Sequence, residues 1–202
     1  YKDISINKCC NVGELNIPNH PETVYLSVVD KDLNSVSIIN SVCYAFGSAI
    51  TSNKTGILFH NRGTNFRIEE NHPNCIDGHK RPLHTIIPGL VTNQNNEAVL
   101  SYGVMGGQYQ PVGQVHVLNN IFDFNMSPQK AISYPRAFHF NNIYNLENTI
   151  PKLLKYDLEK VGHKVKFIDE THGGGQAILI DRDKGNLIGG SDPRKDGYAS
   201  GY

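Results

Sequence analysis

The sequence predicts an α+β fold, on three observations. A β-rich hairpin lies near the start, helical periodicity is confined to the middle, and short apolar strands cluster near the end without βαβ alternation. The hairpin is the most explicit element. Residues 23–30 (Thr-Val-Tyr-Leu-Ser-Val-Val-Asp) and 35–41 (Ser-Val-Ser-Ile-Ile-Asn-Ser) are β-rich, and Lys31-Asp-Leu-Asn34 between them is turn chemistry. Thr23 opens one strand and Ser41 ends the other, so two hydroxyls are expected to meet at one end. Ahead of them, residues 1–22 are polar, with Pro18 and Pro21 close together, and read as an extended connector.

After the hairpin, 45–53 is a small-residue loop, 56–61 a short strand running into Arg62–Asn65, and 69–82 a polar loop. Strands over 84–92 and 98–102 pair across Asn93–Asn96. Gly103–Gly107 then leads to a helix near 112–124, whose apolar positions Val112, Val115, Leu118, Ile121 and Phe122 recur at helical spacing. Ser127-Pro128 is an N-cap followed by Pro at the first helical position, opening a helix through Ser133. A strand is expected over 136–140. An amphipathic helix over 148–161 presents Leu153, Leu154, Leu158 and Val161, with Gly162 ending it. Three strands near 164–168, 176–181 and 186–190 make a late sheet.

Composition excludes several classes of function. The 202 residues suit one domain with a sizeable core, and 39% hydrophobic against 19% charged is a globular balance. Nineteen basic residues offset nineteen acidic ones without a basic patch, which argues against a nucleic-acid partner. No apolar run reaches the ~20 residues of a membrane span, so no membrane association is expected. Cys9 and Cys10 are adjacent, and neither they nor Cys43 and Cys75 show CxxC spacing. Free thiols in a reducing compartment follow, and with them a cytoplasmic location. The first residues do not resemble a signal peptide. An opening Tyr1 in place of Met is what a fragment or a processed product would show. Asp30-Lys-Asp-Leu-Asn34 imitates the start of a calcium loop. Ser35 stands where its turn glycine belongs, however, and Ser41 where its bidentate Glu belongs, so calcium is rejected. The histidines lack metal-ligand spacing, and no metal or other cofactor is expected.

TVYLSVVDKDLNSVSIINS (23–41), followed by YAFGSAI (44–50) and, far downstream, GGSDPRKDGYASGY (189–202), resembles the small subunit of the γ-glutamyltranspeptidase family of N-terminal-nucleophile hydrolases. NRG (61–63) and KRPLHT (80–85) bring it nearest the cephalosporin-acylase-like branch. The resemblance runs from about Thr23 to Tyr202. It implies a four-layer αββα sandwich, of which 23–202 is the small-subunit-like domain and 1–22 the end of a large-subunit-like segment. It also implies a large-subunit partner, a small-molecule γ-glutamyl or glutaryl substrate, and autoproteolysis between Glu22 and Thr23.

By the same resemblance Thr23 is the nucleophile, Ser41 the hydroxyl beside it, and Gly106-Gly107 the oxyanion hole. The chemistry suits these residue types. A threonine hydroxyl needs a base within reach, and an α-amine freed by cleavage titrates near pKa ~8 beside that hydroxyl. Glycines let bare backbone N–H groups approach a developing oxyanion. Arg62, Asn65, His84 and Thr85 occupy positions that handle the donor's α-amino and α-carboxylate groups in typical family members. Those enzymes carry Gln and Asp where this chain has Arg62 and Asn65, and paired serines at His84-Thr85. The exchange removes an anion for an ammonium and adds a fork for a carboxylate. The expected function is therefore a threonine-nucleophile acyl transferase or hydrolase. The alternative is a non-catalytic small-subunit homologue that only folds or associates with a large subunit.

Overall fold

Strand alternation and one acidic turn build the first element, a hairpin of β1 (Pro21–Val29) and β2 (Ser35–Tyr44). Asp30 makes the turn. One carboxylate oxygen accepts the N–H groups of Asp32 (2.9 Å) and Asn34 (2.8 Å), and the other accepts the Asn34 side-chain amide (2.9 Å). Every second residue of β1 faces inward, so Thr23, Tyr25 and Ser27 share a face while Val24, Leu26 and Val28 lie exposed on the other. The computed structural model describes residues 21–201, less the side chains of Pro21 and Glu22. The connector expected over 1–22 therefore lies outside the described residues, apart from the backbone of Pro21 and Glu22, which belongs to β1.

The described residues fall into two compact units, 21–134 with 172–201, and 135–171. In the first, β3 (Pro88–Thr92), β4 (Ala98–Met105), β8 (Gly174–Asp181) and β9 (Asn186–Ser191) form an antiparallel sheet in that order. The hairpin stacks on one face. Ser27 Oγ donates to Ser101 Oγ (2.6 Å), Ser101 Oγ donates to the Val36 carbonyl (3.1 Å), and the Tyr25 ring occupies the space a Cβ on Gly103 would need. On the other face lie α1 (Gln110–Phe122) and α2 (Pro128–Ser133). A Cβ on Gly113 would sit 2.7 Å from Val104, and one on Gly190 would sit 2.7 Å from the Gln129 nitrogen. Leu100, Tyr102, Val104, Val117, Ile121, Ile132 and Ala177 fill the core between helices and sheet. The layers are thus helix, sheet, sheet, matching three of the four in an αββα sandwich. Ser127 caps α2 as expected, its hydroxyl accepting from Lys130 N–H (3.4 Å).

The second unit holds β5 (Ala137–Phe140), β6 (Ile143–Glu147), α3 (Lys152–Lys160) and β7 (Val165–Ile168). β5 pairs antiparallel with β6, and β6 pairs parallel with β7 across α3. The buried Glu147 carboxylate accepts the Arg136 N–H (3.0 Å).

Five expectations are corrected. Residues 56–61 form no regular strand: the segment makes one isolated antiparallel bridge, Leu58 to Thr51, with a few backbone bonds to residues 48–52, too short a pairing to extend into a strand. β3 begins at Pro88 instead of residue 84. The strand near 164–168 joins β6 in the second unit instead of a late sheet with β8, so one βαβ crossover is present. α3 spans Lys152–Lys160, starting after Pro151, which is shorter than 148–161. α1 buries Gly113, Gln114, Val117, Asn120 and Ile121, leaving Val112, Val115 and Phe122 about half exposed. Gly113 explains that choice of face: only a residue without a side chain lets Val104 and Tyr109 come so close. The buried amides are partly satisfied, Gln114 donating to the Ile87 carbonyl (2.5 Å) and Asn120 to that of Ala131 (3.3 Å).

Candidate active site

The open end of the hairpin gathers the candidate residues. Thr23 pairs across the ladder with Ser41, as expected. One residue upstream, Glu22 pairs with Cys43, so β2 carries Val42 as an extra residue and the register breaks between Glu22 and Thr23. Cys43 follows the break at φ 81, buried, with its N–H donated to Ser41 Oγ (3.0 Å). A β-carbon-bearing residue at positive φ stores strain, and such residues cluster at functional sites. Neither the bulge nor Cys43's conformation was legible beforehand, because strand pairs carry no sequence mark for a one-residue insertion.

The stagger between layers sets what Thr23 faces. Ser27 meets Ser101 and Tyr25 meets Gly103, so β1 and β4 run antiparallel across the interface. Thr23 lies two residues before Tyr25 on the same face of β1, and Met105, the last residue of β4, two residues after Gly103 and immediately before Gly106-Gly107. There the chain turns sharply. Gly106 stands at φ 129 and Gly107 at φ 57, and Tyr109 N–H donates to the Gly106 carbonyl (3.1 Å) in a short 3-10 turn leading into α1. Burial, and next the neighbouring Tyr25, pushes the Tyr102 phenol above its ordinary range.

The loop after β2 returns to the same end. Asn61 N–H donates to the Val42 carbonyl (3.1 Å), and Asn61 Oδ1 accepts the Tyr44 N–H (3.1 Å). These bonds hold the short 3-10 turn Arg62–Asn65 beside the strand residue that follows Ser41. The Arg62 backbone is fixed by donation to His60 Nδ1 (3.1 Å), while its Nη2 is buried with no hydrogen-bond partner among the described residues. Asn65 ties this turn to the next segment: its amide donates to the Leu83 carbonyl (2.9 Å), and its own carbonyl accepts from Asn74 Nδ2 (2.6 Å). His84, exposed, and Thr85, half-buried, follow directly. The structure therefore brings Thr23, Ser41 and Arg62 to one end of the hairpin, and Asn65, His84 and Thr85 to the same loop. Asn65's donor is engaged in bracing that loop.

Two partners of the Gly106-Gly107 turn were missed. A Cβ on Gly106 would lie 2.6 Å from Gly173 Cα, and the His172 ring stacks on Tyr109. In sequence, His172-Gly-Gly-Gly175 shows only that it lacks the Lys-Ser/Thr of a phosphate loop; its place against the turn depends on β4 pairing with β8.

With this geometry in hand, comparison with known proteins is informative. Residues 3–202 match the family model described as gamma-glutamyltranspeptidase. A glutathione hydrolase-like proenzyme of Bacillus subtilis is 38% identical over 94% of this chain and 38% of its own length. An oxamate amidohydrolase proenzyme of Klebsiella pneumoniae is 32% identical over 90% of this chain and 36% of its own. Among solved structures, the cephalosporin acylase from Bacillus halodurans superposes with a TM-score of 0.81 at 38% identity, covering 88% of this chain and 34% of that one. The chain thus spans little more than a third of each of these relatives.

Proposed function

The chain belongs to the γ-glutamyltranspeptidase family, and from that premise we propose that it is the nucleophile-bearing part of an acyl transferase or hydrolase, with Thr23 as nucleophile. The observation that carries this reading is the position of Thr23: opposite Ser41, at a register break, at the end of a hairpin stacked on β4, which leads into Gly106-Gly107. Cleavage of the Glu22–Thr23 bond converts an amide nitrogen, which cannot act as a base, into an α-amine that can. Thr23 Oγ1 then attacks the substrate carbonyl and its proton passes to that amine. The Gly106-Gly107 N–H groups receive the oxyanion. The tetrahedral intermediate collapses with proton return to the leaving nitrogen, which releases the amine and leaves an acyl ester on Thr23. Water or an acceptor amine resolves that ester.

The substrate reading rests on Arg62. A buried guanidinium nitrogen without a partner is costly unless an anion completes it, and a carboxylate makes two parallel charge-assisted bonds with such a fork. Asn65 supplies no charge for a substrate ammonium. Glutaryl-type amides therefore suit the site better than γ-glutamyl ones. Relatives bearing the names glutathione hydrolase-like proenzyme, oxamate amidohydrolase and cephalosporin acylase accord with an acyl amide as substrate.

The partner in this reading is a large subunit of the same family. The outer hairpin face supports it: Val24, Leu26, Val28, Val36 and Ile38 are 66, 53, 45, 43 and 48% exposed, an apolar stripe of the kind a further layer covers. Covering it contributes on the order of 1 kcal/mol per side chain. The test is to produce the chain together with a large subunit of the family and sequence the N-terminus of the small fragment. A start at Thr23 with turnover of glutaryl-p-nitroanilide supports the proposal; an intact chain in an assembled sample overturns it.

A further inference from the structure

The segment that carries His84 and Thr85 is held at both ends by side-chain amides. At its start Leu83 is gripped twice: its N–H donates to Asn74 Oδ1 (2.9 Å), and its carbonyl accepts from Asn65 Nδ2 (2.9 Å). At its end the Ile87 carbonyl accepts from Gln114 Nε2 (2.5 Å). The two anchors differ in kind. Asn65 and Asn74 belong to the same loop, whereas Gln114 lies on α1, the helix that the Gly106-Gly107 turn leads into. That helix is seated on the sheet by the residue just before Gln114, since a Cβ on Gly113 would lie 2.7 Å from Val104.

Gln114 is also costly where it stands. It is 5% exposed, and its Oε1 has no hydrogen-bond partner among the described residues. A buried amide satisfied at one end only is less favourable than an apolar side chain of the same shape. The bond to Ile87 is the contribution an apolar residue could not make. We infer that Gln114 is a positioning residue for the acyl donor, tying the His84-Thr85 segment to α1 and so fixing the carboxylate end of the site relative to the oxyanion turn. This deepens the function proposed above and rests on it. The effect is selective by substrate. An acyl group with a terminal carboxylate engages both the Gly106-Gly107 turn and the loop of Arg62, so its binding depends on how the two are spaced. An acyl group without that carboxylate is held at the oxyanion end alone. A side chain at 114 that only filled space would affect both alike.

The experiment compares wild type, Gln114→Met and Gln114→Leu in the assembled, cleaved enzyme. The substrates are butyryl-p-nitroanilide and whichever of glutaryl- and γ-glutamyl-p-nitroanilide the wild type turns over faster. Both variants keep bulk at the position and lose the donor. The expected result is a fall in kcat/KM of about 3- to 10-fold for the carboxylate-bearing substrate, carried mainly by KM, with the butyryl value within about twofold of wild type. Either variant alone carries the comparison if the other fails to assemble. Equal falls on both substrates, no fall on either, or failure of both variants to assemble overturns the inference while leaving an active Thr23 enzyme in place. An inactive, uncleaved wild type removes the underlying function instead, and the inference with it.

Discussion

The two halves of the candidate site are built by different means. Thr23, Ser41 and the route to Gly106-Gly107 are placed by regular structure: ladder register, strand alternation, and a stagger locked by the Ser27–Ser101 hydroxyl pair. Arg62, Asn65, His84 and Thr85 are placed by a long loop with no regular strand, held by side-chain amides of Asn61, Asn65 and Asn74 on backbone groups. Its apolar residues Phe59, Ile68, Ile76 and Leu83 are largely exposed. Moving Thr23 would require re-registering two sheets. Moving Arg62 would require exchanging a few loop bonds. Under the proposed function, a scaffold divided this way keeps its bond-breaking groups fixed while its substrate preference is rewritten.

Substitutions can break or sharpen that contrast. The largest effect belongs to Thr23→Ala, which should abolish both cleavage and turnover, since no other hydroxyl shares its place on β1. Intact mass and p-nitroanilide release check it, and a cleaved or active variant would remove Thr23 from the chemistry. Gly107→Val should come next, with turnover falling about 100-fold or more while assembly persists. Size-exclusion chromatography alongside rate measurement separates the two, and a fully active variant would sink the oxyanion assignment.

On the loop side the effect should be one of preference. Arg62→Gln should reduce the ratio of glutaryl- to γ-glutamyl-p-nitroanilide turnover by about tenfold or more, as expected for losing a charge-assisted hydrogen bond of roughly 1.5–3 kcal/mol. An unchanged ratio would make Arg62 a structural loop residue. The smallest effect lies at Asp30. The Asn34 side chain, and then its backbone N–H, hold this carboxylate below its ordinary range. A depressed folded pKa contributes stability above the unfolded value of about 3.9, and that contribution disappears as pH falls through the folded one. Asp30→Ala should flatten the acid limb of a thermal-melt series below about pH 4 and slightly lower stability at neutral pH. A variant with the same acid limb as wild type would refute the linkage.

Legibility followed the same divide. The hairpin, the Thr23–Ser41 pairing, the capped α2 and the strand-to-helix place of Gly106-Gly107 follow from propensity, turn chemistry and family resemblance, all of which are local or linear signals. The expected strand over 56–61 failed because its only pairing is a single bridge to the 48–52 loop, and strand formation is decided by the extent of pairing instead of propensity. The face of α1 was misjudged because Val112 and Val115 outweigh Gln110, Gln114 and Asn120 on any hydropathy count. Gly113 decides the packing, and its reason lies in Val104 and Tyr109, which only the fold brings near. His172 stayed hidden likewise, more than sixty residues from the turn it touches.

The extra residue at Val42 bears on the cleavage proposed between Glu22 and Thr23. A break in register at Glu22–Thr23 acts as a perforation line across the hairpin: only the Pro21–Tyr44 and Glu22–Cys43 pairings lie on the far side of it. The strip beyond the line can peel away while the seven pairs from Thr23 to Val29 stay zipped. Under the cleavage proposed above, the new chain end would be born already seated, with its amine beside its own hydroxyl and opposite Ser41.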